Sequence, residues 1–78
     1  MTNLELYNRA FIRTLGVKEE ELKELKYRGI PQWDSIGHME LMADLEGVFD
    51  IRLETADVLA FTSYKKGKEV LAEYGVDV

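Results

Sequence analysis

Ser35 is the single hydroxyl in the run "GIPQWDSIGHMELMADLEGVFDI", Gly29 to Ile51, which carries five acids (Asp34, Glu40, Asp44, Glu46, Asp50) and no Lys or Arg. A serine beside an aspartate at the start of a helix has three chemical uses. As a nucleophile it needs an adjacent base. No GxSxG elbow surrounds it, and helical spacing puts His38 on the core face rather than beside it. As a cap, either Asp34 or Ser35 can accept from the first free backbone N–H groups. As a place for an anionic group the helix start is well suited, because the free N–H groups and the helix dipole stabilise a phosphate there.

The charge around Ser35 is lopsided. The chain has 15 acids and 10 bases, a net charge of −5, and removing the five acids of this run leaves ten of each sign. The whole imbalance therefore sits in one segment. Nucleic acid is a poor partner for such a surface, since its binding relies on Lys and Arg at phosphates. A protein with a basic patch fits better. With no Cys, disulfides and thiolate metal sites are excluded, and one His cannot build a histidine-based zinc site. No apolar run approaches the roughly 20 residues of a membrane span. The start, "MTNLELYNRAF", lacks the basic and continuously apolar stretches of a signal peptide, so the expected location is cytoplasmic. With 46% hydrophobic residues in 78, the expectation is one ordered domain over residues 1–78, with little interior to spare for a deep cleft.

Four helical segments are expected to position Ser35. The first opens on a capping box, Thr2 with Glu5; Leu4, Tyr7, Phe11 and Leu15 recur at helical spacing, and Gly16 stops it. Residues 17 to 33 form a long connection in which "EEELKEL" makes a turn or two of helix before Gly29 and Pro31 break it. Leu22, Leu25, Ile30 and Trp33 pin this connection to the core. The second helix runs from Ser35 to about Phe49, capped by Asp34. A short third, "TADVLAF", is capped by Thr55; a fourth, "SYKKGKEVLAEY", follows Thr62 or Ser63 and ends at Gly75. The alternation in "FDIRL" is too short for a strand with no partner. The fold class is all-α, a small four-helix bundle with a long first connection and a short third helix.

Laid out at 100° per residue, the second helix has two faces. His38, Leu41, Met42, Leu45, Val48 and Phe49 form the core face. Ile36, Met39, Glu40, Ala43, Asp44, Gly47 and Asp50 form the other, which mixes apolar residues with acids. That face is poorly chosen for stability. Glu40 and Asp44 repel by roughly 0.2–0.5 kcal/mol at this spacing. Gly37 and Gly47 each cost about 1 kcal/mol against Ala. Acids that steer, with exposed apolar residues that supply contact area, suit a reversible docking surface; the alternative is a solvated face that happens to be acidic.

The run "WDSIGHMELMADLEGVFDIRL" resembles the acyl carrier proteins and related thiolation domains. Their signature is Asp-Ser-Leu at the start of the second helix, then a helix ending in Leu-Glu-x-x-Phe and a short apolar stretch. The matching positions are Asp34, Ser35, Ile36, Leu45, Glu46 and Phe49, followed by Ile51 and Leu53. The helical layout extends the likeness over essentially the whole chain. The resemblance implies that Ser35 is the attachment point for 4'-phosphopantetheine, donated by coenzyme A through a separate phosphopantetheinyl transferase using Mg²⁺, with Asp34 as the acid preceding the modified serine. The arm would supply the thiol the sequence lacks and carry acyl or aminoacyl groups as thioesters.

It further implies that the second helix meets the transferase and the acyl-loading and acyl-processing enzymes. Ile36, Met39 and Ala43 would supply apolar contact, and Glu40, Asp44 and Glu46 would face basic patches. The chain is then a monomeric carrier and not itself an enzyme, in fatty-acid, polyketide or related biosynthesis. Leu45, Val58, Leu59 and Phe61 would line any space for an acyl chain between helices, although ordinary core packing accounts for them better. Ile36 in place of the usual Leu is conservative, and a charge of −5 is mild beside the very acidic fatty-acid carriers. The second functional reading is a small acidic helical interaction module with no cofactor.

Overall fold

Thr2 and Glu5 start the first helix as the sequence dictates. The Thr2 hydroxyl accepts from Glu5 N–H at 3.1 Å and the Glu5 carboxylate accepts from Thr2 N–H at 3.0 Å. Those bonds hold the exposed Glu5 carboxyl below the usual carboxylate range. In the computed structural model, which describes residues 1–78, this helix is α1, Asn3–Leu15. Gly16 ends it at φ 68°, where a side chain would be strained, and returns its N–H to Ile12 O. Three further α-helices follow: α2, Ser35–Phe49; α3, Thr55–Ala60; and α4, Tyr64–Ala72. A 3-10 turn, Glu19–Glu24, is the helical piece of the long connection. There is no strand.

The core is aromatic at its centre. Tyr7, Phe11, Trp33 and Phe61 are fully buried, and the Phe11 ring meets Trp33 edge-on at 5.6 Å and Tyr64 at 5.3 Å. Edge-to-face pairs of this kind add to the apolar burial. The Tyr7 hydroxyl donates to Tyr64 O at 2.7 Å. Burial pushes that hydroxyl's pKa far up, with the neighbouring Tyr64 adding to the effect. α4 reaches this cluster because Gly67 has no side chain: a Cβ there would lie 2.3 Å from both the Tyr7 hydroxyl and the Phe61 ring. The long connection is tied across to the start of α4 by Tyr27 N–H to Thr62 O and Tyr64 N–H to Leu25 O. Leu22, Leu25 and Trp33 are buried on it, and Ile30 is half-buried.

Several expectations are corrected. Leu4 is 40% exposed, so α1 turns only Tyr7, Ala10, Phe11 and Leu15 fully inward. Val48 and Phe49 are half-buried rather than core, because α2 is ending there: Asp50 caps it in the left-handed region at φ 53°. Thr55 is not the cap of α3. Glu54 occupies that position, with no side-chain cap bond. Ser63 caps α4, accepting from Lys66 N–H at 2.9 Å.

Candidate functional site

The first turn of α2 is built by three local devices. Asp34 is the N-cap, and its carboxylate accepts from Gly37 N–H at 2.8 Å. Gly37 lets the preceding turn pack directly on the helix, since a Cβ at that position would fall 2.1 Å from the Gln32 carbonyl oxygen. Its absence of a side chain, which looks wasteful in sequence, is a close-approach requirement. Third, the Trp33 indole N–H donates to His38 Nδ1 at 2.9 Å, binding the residue before the cap to the helix interior.

Ser35 is the first residue of α2 and is exposed. Asp34 does the capping, so the Ser35 hydroxyl takes no part in the cap and has no partner in the chain. Its own N–H and that of Ile36 make no backbone hydrogen bond; the first N–H returned to the chain from this turn is Gly37's, to the Asp34 side chain, and then His38's, to Asp34 O at 2.8 Å. The site therefore offers a free hydroxyl beside two free backbone donors at the positive end of a helix. His38 is buried, and its Nε2 stands 2.8 Å from Val58 O. Both ring nitrogens are engaged away from Ser35, so the imidazole is not placed to take its proton. A hollow of about 300 Å³ lined by Arg28, Gly29, Ile30, Pro31, Trp33 and Asp34 lies alongside the cap.

The acidic run resolves into separate jobs. Asp34 caps. Asp44 pairs with Arg13 of α1 at 2.7 Å, so the face is not free of bases once folded. Glu46 is half-buried and its carboxylate accepts from Leu53 N–H at 2.7 Å, which secures the segment after α2. Only Glu40 and Asp50 are exposed carboxylates without a partner. Ile36 and Met39 are exposed at 71% and 58%, and Ala43 is exposed beside them. From α3, Leu59 is also exposed, at 73%. The Arg13 contact and the outward turn of Leu59 depend on how separate helices pack, which no local pattern in the sequence encodes.

Met39, Met42, Glu46, Leu53, Thr55, Val58 and Leu59 line a mostly apolar groove of about 360 Å³ where α2 and α3 meet. Val58 and Leu59 line this groove, whereas Leu45 and Phe61 do not reach it and are fully buried in the core, as ordinary packing would have them. No group of three or more His, Asp or Glu side chains is placed to hold a metal ion. No helix is long and apolar enough to cross a membrane. A scan against protein-family models and searches of curated proteins and of solved structures each returned no match.

Proposed function

We propose that this chain is a stand-alone carrier protein that bears 4'-phosphopantetheine on Ser35 and holds acyl or aminoacyl groups as thioesters on its thiol. The observation that carries the reading is the Ser35 hydroxyl itself, exposed and unbonded at the first residue of a helix whose cap is supplied by another side chain. Its likeness to the carrier signature at Asp34, Ser35 and Ile36 adds support, as does the layout of a long first connection and a six-residue third helix. In the modification, a transferase deprotonates Ser35, whose oxygen attacks the β-phosphorus of coenzyme A. The bond from that phosphorus to the bridging oxygen breaks, and adenosine 3',5'-bisphosphate leaves. The unbonded N–H groups of Ser35 and Ile36 are the donors that would stabilise the negative charge of the resulting phosphodiester.

The docking face is narrower than the acidic run suggests. Asp44 is paired with Arg13 and Glu46 is held by Leu53 N–H, which leaves Glu40, beside exposed Ile36, Met39 and Ala43, and Asp50 at the helix end as the unpartnered carboxylates. An exposed apolar patch of Ile36, Met39 and Leu59 also favours the second reading, an interaction module with no cofactor. The two are separated by incubating the protein with fluorescent coenzyme A and a broad-specificity phosphopantetheinyl transferase. Label on the wild type and none on Ser35→Ala supports the carrier. An unlabelled wild type, with a known carrier labelled in parallel, supports the module.

A further inference from the structure

Trp33, His38 and Val58 come from the connection, α2 and α3, and they meet through one imidazole ring. The indole N–H can only donate, and it reaches His38 Nδ1 at 2.9 Å. The Val58 carbonyl can only accept, and it lies 2.8 Å from His38 Nε2. Both bonds exist together only in the neutral ring with its proton on Nε2. We propose that His38 is a positioning residue that performs two separable tasks, one per nitrogen: Nδ1 fixes the turn presenting Ser35, and Nε2 fixes α3 as the wall of the apolar groove. The proposal rests on the carrier reading only in taking Ser35 as the modified group.

Each side of the ring has a reason to need the tie. Trp33 is fully buried against Phe11, its carbonyl accepts from Arg28 N–H, and the next residue is the Asp34 cap. Fixing its indole therefore fixes the direction in which the chain enters α2. α3 is six residues long, buries no side chain fully and has no side-chain cap bond. Its start is held by Tyr74, whose hydroxyl accepts from Glu54 N–H at 2.9 Å and donates to Asp57. Beyond that end, His38 supplies the side-chain hydrogen bond to α3, at Val58, a residue that also lines the groove.

The two tasks can be removed one at a time. In His38→Asn the side-chain oxygen stands about where Nδ1 was, so Trp33 keeps its acceptor and Val58 loses its donor. In His38→Gln the terminal amide reaches about where Nε2 was, so Val58 keeps a donor and Trp33 is left without an acceptor. Trp33→Phe keeps an aromatic ring in the core and removes the N–H. Trp33 is the one Trp of the chain, so its indole N–H gives a single NMR resonance. That resonance should hold in His38→Asn and move in His38→Gln. Amide exchange within α3 should do the reverse, faster in His38→Asn and unchanged in His38→Gln.

Transfer of phosphopantetheine to Ser35 should slow by roughly tenfold in His38→Gln and in Trp33→Phe, within what misplacing a reacting group by an ångström can do. His38→Asn should react like the wild type. The His38→Gln/Trp33→Phe double variant should be no slower than either single, because one bond is lost in all three. If the indole resonance and α3 exchange change together in both variants, following the melting temperature, His38 is a packing residue and the proposal is overturned. Unchanged transfer rates in His38→Gln and Trp33→Phe would likewise overturn it while leaving the carrier reading intact. A wild type that takes no phosphopantetheine while the two NMR signals separate as expected would sink the carrier reading and uphold the double role of His38.

Discussion

Leu45 and Phe49 sit one turn apart on α2, and truncating them should have unequal effects. Leu45 is fully buried, so Leu45→Ala is expected to cost about 2–5 kcal/mol. Phe49 is half-buried at the helix end, and Phe49→Ala should fall clearly below the roughly 3–5 kcal/mol of a core phenylalanine. Urea unfolding of both variants checks the order; equal losses would place Phe49 inside. Tyr7 gives a pH-dependent counterpart. Burial raises its folded-state pKa above the roughly 10 of an unfolded tyrosine. The stability tied to its neutral form is thus fully present below about pH 10 and lost as pH rises above it. Tyr64, through burial, and Tyr74, chiefly through its bond to Asp57, shift the same way. Unfolding free energy should therefore fall above about pH 10, and Tyr7→Phe should make that fall shallower. An alkaline slope identical to wild type would show that Tyr7 ionises freely in the folded chain. At this scale the sequence marked Ser35, Asp34, Tyr7, Phe11 and Leu45 through type and spacing. It could not mark the Asp44–Arg13 pair, whose members are far apart in the chain and meet only when α1 and α2 pack.

Among the helices, the same substitution should act with opposite sign at two glycines of α2. A Cβ at Gly47 meets nothing within 4 Å, so Gly47→Ala should stabilise by about 0.5–1 kcal/mol, the ordinary helix preference for Ala. A Cβ at Gly37 would lie 2.1 Å from a backbone oxygen, so Gly37→Ala must push the Gln32 turn off the helix. It should destabilise and also slow modification of Ser35. Thermal melts of the two variants would contradict this if both moved the same way. The helix limits were readable because their signals are local: the capping box at Thr2, Asp34 before Ser35, Gly16 after Leu15. The end of α2 and the cap of α3 were less so, since Asp50 adopts a conformation usually left to glycine and Glu54 replaces the better capping residue next to it. From sequence, Gly37 and Gly47 look alike as helix breakers; only the packed turn distinguishes them.

For the molecule as a whole, charge and apolar exposure determine what can dock. Glu40 is exposed and unpaired, whereas Asp44 already has a partner, so Glu40→Lys is the cleaner reversal. It should slow phosphopantetheine transfer with little change in melting temperature. The wild-type rate should fall as salt rises through about 0.1 M, where exposed charges beyond roughly 10 Å are screened, and the variant's rate should depend less on salt. Matching rates for both across a salt series would make the acidic face a solvated one. The net acidity and all-helical class follow from composition and periodicity, and the capping role of Asp34 from its place before the helix, but the fate of Asp44 and Glu46 does not, because only folding brings them to Arg13 and Leu53 N–H. The most direct test of the carrier role is the intact mass of the protein after incubation with coenzyme A, Mg²⁺ and a phosphopantetheinyl transferase active on a known carrier. The expected result is a gain of one phosphopantetheinyl group, localised to Ser35 by fragmentation and absent from Ser35→Ala. An unchanged wild-type mass, or the same gain in Ser35→Ala, would contradict it.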